Sequence, residues 1–313
     1  MIERKYIKMK KLTALILTLA LAIGCCAVTF AEDYEVKLAA PTGAPALAVA
    51  TLAVENPDDY TFLDASTIGA EFQKAEADFV IAPINAGATL YKAGKSTYRL
   101  AAVVTWGNLF FASQREGFSE ESLAGADLIL FGENTINASV VLAVLEAKGI
   151  TPASVSYLAG ASETQAALLS DAEAIVVTAD PALTAAKIKN EKITAVSVQE
   201  MLKDAFGMDG YAQAGLFVRE KTAEEHPEAV KAYLEAVRES AGKAETDPAA
   251  MAEAAVKLEI LPNQKVAEAA IPGCSIRFVG AAEAKADVER TAAFDPAQFG
   301  GEAPADGFYY TAE

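Results

Sequence analysis

One histidine and three cysteines in 313 residues leave little for nucleophilic or metal chemistry. His226 sits in Glu225-His226-Pro227-Glu228, a charged helix start, and reads as exposed surface. Cys25 and Cys26 are adjacent near the start of the chain, and Cys274 stands alone in Pro272-Gly273-Cys274-Ser275-Ile276 as a small buried apolar residue. Such spacing builds neither a disulfide framework nor a metal site. No serine or cysteine has a histidine to activate it, so no catalytic residue, metal or cofactor is expected. What remains is hydrogen-bonding chemistry: amides, hydroxyls and one acid placed where strands end and helices begin.

The clearest of these places is residues 78–88. Phe79, Val80, Ile81 and Ala82 form an unbroken apolar run, which suits a strand covered on both faces. Pro83 ends it, and a helix follows with Asn85 at its start. The side chain of Asn85 can cap that helix and also meet a ligand. Upstream, residues 35–40 read as a strand, 41–45 as a tip carrying Thr42 and Gly43, and 46–54 as a helix. A strand over 60–64 leads to Ser66 and Thr67, which open a helix through Phe72. A strand over 98–105 completes a β-α-β-α-β-α-β series with short connections, the pattern of a mostly parallel sheet.

Residues 105–112, Thr-Trp-Gly-Asn-Leu-Phe-Phe-Ala, read as an extended passage into a second lobe. Trp106 is the only tryptophan; it either packs at a hinge or stacks on a planar ligand, and its polar neighbours Thr105, Gly107 and Asn108 favour the second. The second lobe repeats the device. A strand over 127–132 precedes Asn134 and Thr135 at a helix start, closed by Gly149. Ser162-x-x-Gln165 has the form of a capping box. A strand over 173–178 ends at Asp180-Pro181, an N-cap followed by proline at the first helical position. Ser197-x-x-Glu200 caps one further helix. Residues 211–219 are extended again and cross back, so the first lobe is discontinuous. Thr222-x-x-Glu225 is expected to cap a long amphipathic helix, and Asp247-Pro248 starts another. Phe308-Tyr309-Tyr310 reads as a tail packed on the body.

The chain is acidic overall, with a formal net charge of −17. Residues 1–31 hold five basic residues and one acid, so the rest is more acidic still. Such a body repels nucleic acid and anionic lipid. The basic start, the uncharged stretch 12–30 and the small residues Thr29 and Ala31 form an export signal over 1–31. Leu21-Ala22-Ile23-Gly24-Cys25 is an overlapping lipobox that would place a lipid on Cys25; the two readings stay open.

Several of these features together resemble the solute-binding proteins of ABC importers, in the nitrate, sulfonate and thiamine-precursor branch. They are the export signal, the Ala-Pro-Thr-Gly tip, residues 77–88, the 105–112 crossover, Phe131-Gly132 before a helix ending Lys-Gly-Ile, Thr178–Pro181, and 217–237. The resemblance implies an α/β, two-lobed type II periplasmic-binding-protein-like fold, with mixed, mostly parallel sheets and a hinge of two crossing strands. Lobe I would be 32–106 with 211–313, and lobe II 107–210. It implies a ligand site in the cleft, facing Thr42, Gly43, Ser66, Thr67, Asn85, Thr105 and Trp106 from the first lobe or hinge, and Asn134, Thr135, Ser162, Thr178 and Asp180 from the second. A membrane permease would be the partner, and the protein a monomer at the outer face of the cytoplasmic membrane, the cell surface or the periplasm. No Lys or Arg stands at these tips, whereas Glu133 and Asp180 add negative charge. A neutral or partly cationic solute is therefore expected, with a flat ring against Trp106. The same fold also hosts pyrimidine and menaquinone-precursor enzymes, so an enzyme is one alternative; a surface sensory protein is another.

Overall fold

The computed structural model describes residues 34–311; the expected export signal and lipobox lie outside them. Among the described residues no helix is long and apolar enough to cross a membrane. Among the described residues eleven strands form two mixed sheets, each flanked by helices. The first sheet contains β1 (Leu38–Pro41), β2 (Tyr60–Leu63), β3 (Phe79–Pro83), β4 (Tyr98–Thr105), β10 (Ala214–Arg219) and β11 (Ile276–Gly280), ordered β11-β4-β10-β3-β1-β2. The second contains β5 (Leu109–Ser113), β6 (Asp127–Phe131), β7 (Ser154–Leu158), β8 (Ile175–Ala179) and β9 (Thr194–Ser197), ordered β7-β6-β8-β5-β9.

The parallel units expected from the short βα connections are present. β1 is parallel to β2 and β3, and β6 to β7 and β8. Antiparallel pairing enters where the chain passes between sheets and at one edge of the first sheet, where β11 runs antiparallel to β4. β10 runs antiparallel between β3 and β4, and β5 antiparallel between β8 and β9. The chain leaves the first sheet through Trp106–Asn108 and returns to it at β10. Alternate residues of β3 enter different cores: Val80 and Ala82 join one apolar cluster, Phe79 and Ile81 the other. That is why its sequence is apolar without alternation.

Two polar features hold the first sheet together. Asp78, just ahead of β3, is buried. It accepts from Lys37 N at 3.0 Å, the Arg219 guanidinium at 2.7 Å and Thr222 Oγ1 at 2.7 Å. The tail is pinned by Tyr310 N donating to Leu100 O at 2.7 Å, with Phe308 fully buried. On the outer side of β10, the helix Ile84–Lys92 packs Gly87 directly on the Phe217 ring. A Cβ at position 87 would overlap that fully buried ring. Gly87→Ala is therefore expected to lose about 2 kcal/mol, the usual cost of overpacking, read as a lower urea midpoint.

Several local expectations change in the structure. The apolar stretch 46–54 forms two short helices, Ala44–Leu47 and Ala50–Ala53, because Val49 leaves helical geometry at φ −118°, ψ 5°. Thr222 does not cap a long helix: its hydroxyl is committed to Asp78, and the helix Glu220–Glu225 stops before His226-Pro227. The residue before a proline is pushed out of helical geometry; His226 has φ −133°, and a new helix, Pro227–Thr246, starts behind it. His226 is consequently half-buried between two helices rather than exposed. Ser162 is exposed inside the helix Ala161–Ser170, whose N-cap is Gly160. The caps at Ser197 and Asp247 form as expected, each accepting from the backbone N–H three residues on. Cys274 is a buried free thiol, and burial pushes its pKa well above the usual thiol range.

Candidate functional site

A cavity of about 410 Å³ lies where the ends of both sheets meet. Thr42 follows β1, Asn85 follows β3 and Gln213 precedes β10; these line it from the first sheet. Thr135 and Asn137 follow β6, and Asp180 follows β8; these line it from the second, with Asn108 on the connecting passage. Among the residues lining it, none is Lys, Arg or His, and Asp180 is the only ionisable one.

The amides are wired together. Gln213 Nε2 donates to Asn108 Oδ1 at 3.2 Å, to Asn137 Oδ1 at 3.3 Å and to the Tyr211 oxygen at 3.2 Å. Tyr211 in turn donates to Asn137 Oδ1 at 2.6 Å. Its complete burial pushes the phenol pKa far up, so it stays a donor at physiological pH. Asn108 Nδ2 donates to Asp180 O at 2.7 Å, and Asp180 N donates back to Asn108 O at 3.2 Å. Gln213 O accepts from Ile84 N at 3.1 Å, which ties β10 to the start of the helix bearing Asn85. The wall is thus a connected set of amides with fixed orientations.

Asp180 is buried, and its Oδ1 accepts from Thr184 N at 3.0 Å. It caps the helix Ala182–Lys189 from one residue outside the geometric N-cap, Pro181. A Cβ at position 273 would overlap Asp180 Oδ2, so Gly273 leaves the carboxylate its room. Burial raises the pKa of Asp180, against the opposing pull of Thr184 and Lys187. An acid with a raised folded pKa imposes no penalty where both states are protonated. Stability then falls as pH climbs from the unfolded pKa to the folded one, and stays lower above it. Asp180→Asn keeps the Oδ1 acceptor and removes this loss. Its urea midpoint is expected to exceed that of the parent at about pH 7 and to converge with it near about pH 3.

The residues expected at the site divide into three groups. Thr42, Asn85, Thr135 and Asp180 line the cavity. Asn85 does so without capping: Pro83 holds the N-cap position, no side-chain cap bond forms, and Asn85 is the second helical residue. Thr135 accepts from Ala138 N at 3.5 Å as a cap. Gly43, Ser66, Thr67, Asn134 and Ser162 lie around it without lining it. Ser66 and Thr67 are exposed and fold onto Asp64. Asn134 is exposed with φ 58°. Ser162 lines a second cavity of about 310 Å³, which shares Ala161, Ala179 and Asp180 with the first. The third group is Thr105, Trp106 and Thr178, all buried in the body. The Trp106 ring is not in the cavity wall: Nε1 donates to Arg277 O at 2.9 Å and the Arg277 guanidinium lies 4.5 Å from its centroid. Of the polar flank that suggested a ligand, Asn108 lines the cavity, whereas Thr105 is buried and Gly107 packs beside the Tyr211 ring.

Asn108, Asn137 and Gln213 were not legible as site residues. Asn137 is the second residue of the helix Ile136–Ala147, as Asn85 is of its own helix, whereas Asn108 and Gln213 stand away from any helix start. The available signal was a lone amide inside buried apolar sequence, as in Tyr211-Ala212-Gln213-Ala214, where a polar side chain needs a partner.

The model of the NMT1/THI5-like family matches residues 76–251. No curated protein sequence matches the chain. Among solved structures, an ABC transporter protein from Parabacteroides distasonis is 21% identical, with 89% of this chain and 99% of that one covered and a TM-score of 0.75. The periplasmic aliphatic sulphonate-binding protein SsuA of Escherichia coli is 12% identical, with 89% and 92% covered and a TM-score of 0.68. The ligand-binding component of an ABC-type import system from Staphylococcus aureus is 12% identical, with 88% and 96% covered and a TM-score of 0.67. The fold is that of type II periplasmic-binding-like proteins, and, with the family match spanning more than half of its length, the chain belongs to the NMT1/THI5-like family.

Proposed function

We propose that this protein is the extracytoplasmic solute-binding component of an ABC importer. It would hold a small neutral or partly cationic molecule in the cavity between the two sheets and hand it to a membrane permease. The observation that carries the reading is the cavity wall itself. Strand-to-helix tips of both sheets contribute to it, its amides are held by one another, and its only charge is a carboxylate. A ligand touching both sides stabilises the closed form by contacts absent when open, so capture needs no chemistry. The moving halves would be 32–106 with 211–313 against 107–210. Family membership and the solute-binding neighbours support the class of function; SsuA is named for aliphatic sulphonates.

The wall argues for a different solute here. An oxyanion is usually held by Arg or by several N–H donors, and Asp180 would repel it. An amine or ring N–H facing Asp180 would gain a charge-assisted bond, worth about 1.5–3 kcal/mol. Mass spectrometry of the molecule that co-purifies from the native host identifies the solute directly. In isothermal titration, an aminopyrimidine is expected to bind and taurine and nitrate to fail. Binding of the two anions alone overturns the solute class; a covalently altered product released from the protein overturns the non-catalytic reading.

A further inference from the structure

Two passages of chain join the sheets, but a third link is non-covalent. The helix Ala281–Phe294 packs on β4 and β11 of the first sheet and on the helix Ile136–Ala147 that follows β6 of the second. Arg290 donates to Phe206 O at 2.6 Å, and the Phe206 and Phe294 rings meet edge-on at 5.1 Å. The chain then turns as residues 295–302 past Asn85, which lines the cavity.

This strap is bonded on both sides. Toward the second sheet, Ser139 Oγ donates to Asp295 Oδ2 at 2.8 Å and Gln298 Nε2 donates to Asn134 O at 2.6 Å. Toward the first, Asn85 Nδ2 points at Gln298 Oε1 at 3.4 Å and Thr89 Oγ1 donates to Gln298 O at 3.0 Å. Lys92 reaches Gly300 O and Glu302 Oε1, each at 2.8 Å. Phe299 is buried and anchors the turn.

The polarity of the central bridge follows from one atom. Asn134 O is a backbone carbonyl and can only accept, so Gln298 must present its NH₂ there and its Oε1 to Asn85. Asn85 then turns its own NH₂ to the strap. Its Oδ1 is left enclosed without a partner. Gln298 thereby couples a helix of the first sheet, through a cavity-lining residue, to the loop at the second.

We propose that residues 295–302 are a latch that holds the two sheets' cavity walls together in the absence of solute, with Gln298 as its bridge and Ser139–Asp295 as its second bond. Opening the cavity parts the strap from Asn134 and Ser139, while its more numerous bonds to the helix Ile84–Lys92 keep it on the first sheet. The proposal rests on the two-lobe reading above but not on the identity of the solute.

The test measures the distance between the halves with no ligand added. Spin labels are placed by Lys95→Cys, beyond the helix Ile84–Lys92, and Glu146→Cys, on the helix Ile136–Ala147; both positions are exposed. Cys25 and Cys26 are changed to serine, and buried Cys274 stays unlabelled. The parent is expected to give a short, narrow electron–electron distance distribution. Ser139→Ala with Gln298→Ala is expected to lengthen and broaden it, as loss of two hydrogen bonds shifts the open-to-closed ratio on the order of tenfold. Thr89→Val, which loosens the strap from the first sheet, should give a smaller shift in the same direction and guards against a misfolded double variant. Coincident distributions in parent and variants overturn the latch, as does a parent that is already long and broad. Co-purified solute is measured on the same proteins. Loss of solute with unchanged distances would sink the latch and leave solute binding standing; changed distances with no solute in any protein would do the reverse.

Discussion

Asp78→Ala is expected to cost about 3–5 kcal/mol, enough to remove much of the stability of an ordinary domain. Asp78 is 3% exposed and gathers two distant pieces of chain, one of them at two points. Lys37 N belongs to the approach to β1, Arg219 ends β10, and Thr222 lies on the helix Glu220–Glu225. Arg219 also donates to Ala75 O at 2.6 Å, so its guanidinium cannot swing out to water without breaking a second bond. Alanine leaves that cation partly buried and unpaired, and it is the stranded charge rather than the lost attraction that sets the size of the effect. Asp78→Asn keeps one acceptor and should lose less. The exposed pair Lys203–Asp209, 2.8 Å apart, makes the contrast: its removal should hardly move the urea midpoint. Similar midpoints for Asp78→Ala and Asp209→Ala would show that the first sheet does not depend on the buried pair.

Trp106→Ala should cost about 3–5 kcal/mol as well, and should do so through stability rather than solute contact. The ring is 4% exposed at the point where the chain leaves the first sheet. Its backbone N donates to Ser275 O at 3.1 Å and its indole N to Arg277 O at 2.9 Å, so it binds the passage to the start of β11. Next to it there is no slack. A Cβ at Gly210 would overlap Trp106 O, and the Tyr211 ring fills the space beside Gly107. Alanine would open a void at the one place where both chain passages meet. Trp106→Phe restores most of the volume and should recover most of the loss. A Trp106→Ala protein of normal stability but weakened solute binding would restore the ring to the site.

Trp106 stood out in the sequence by its type while its role did not, and Asp78 carried no signal of its own. The apolar run of β3 announced a strand buried on two faces, and the two clusters that receive its alternate side chains bear this out. Short βα connections announced the parallel units, and the caps at Ser197 and Asp247 were legible because capping is local. Thr222 was misread for the same reason in reverse: a local capping pattern lost to a distant carboxylate that no spacing rule can see.

The amino-acid sequence by itself therefore determined the class of fold and the strand-to-helix tips, because these depend on neighbours a few residues apart. Only the tertiary structure decided which tips share a cavity. Asn85 and Asp180 are brought to one wall, Ser66 and Ser162 are turned away from it, and Trp106 is withdrawn into the crossing. Gln213, Asn137 and Asn108 enter because the two chain passages bring together amides from distant parts of the sequence. Periodicity records which face of an element is buried, whereas a site between two sheets depends on how their ends meet, and that is set by packing over the whole chain.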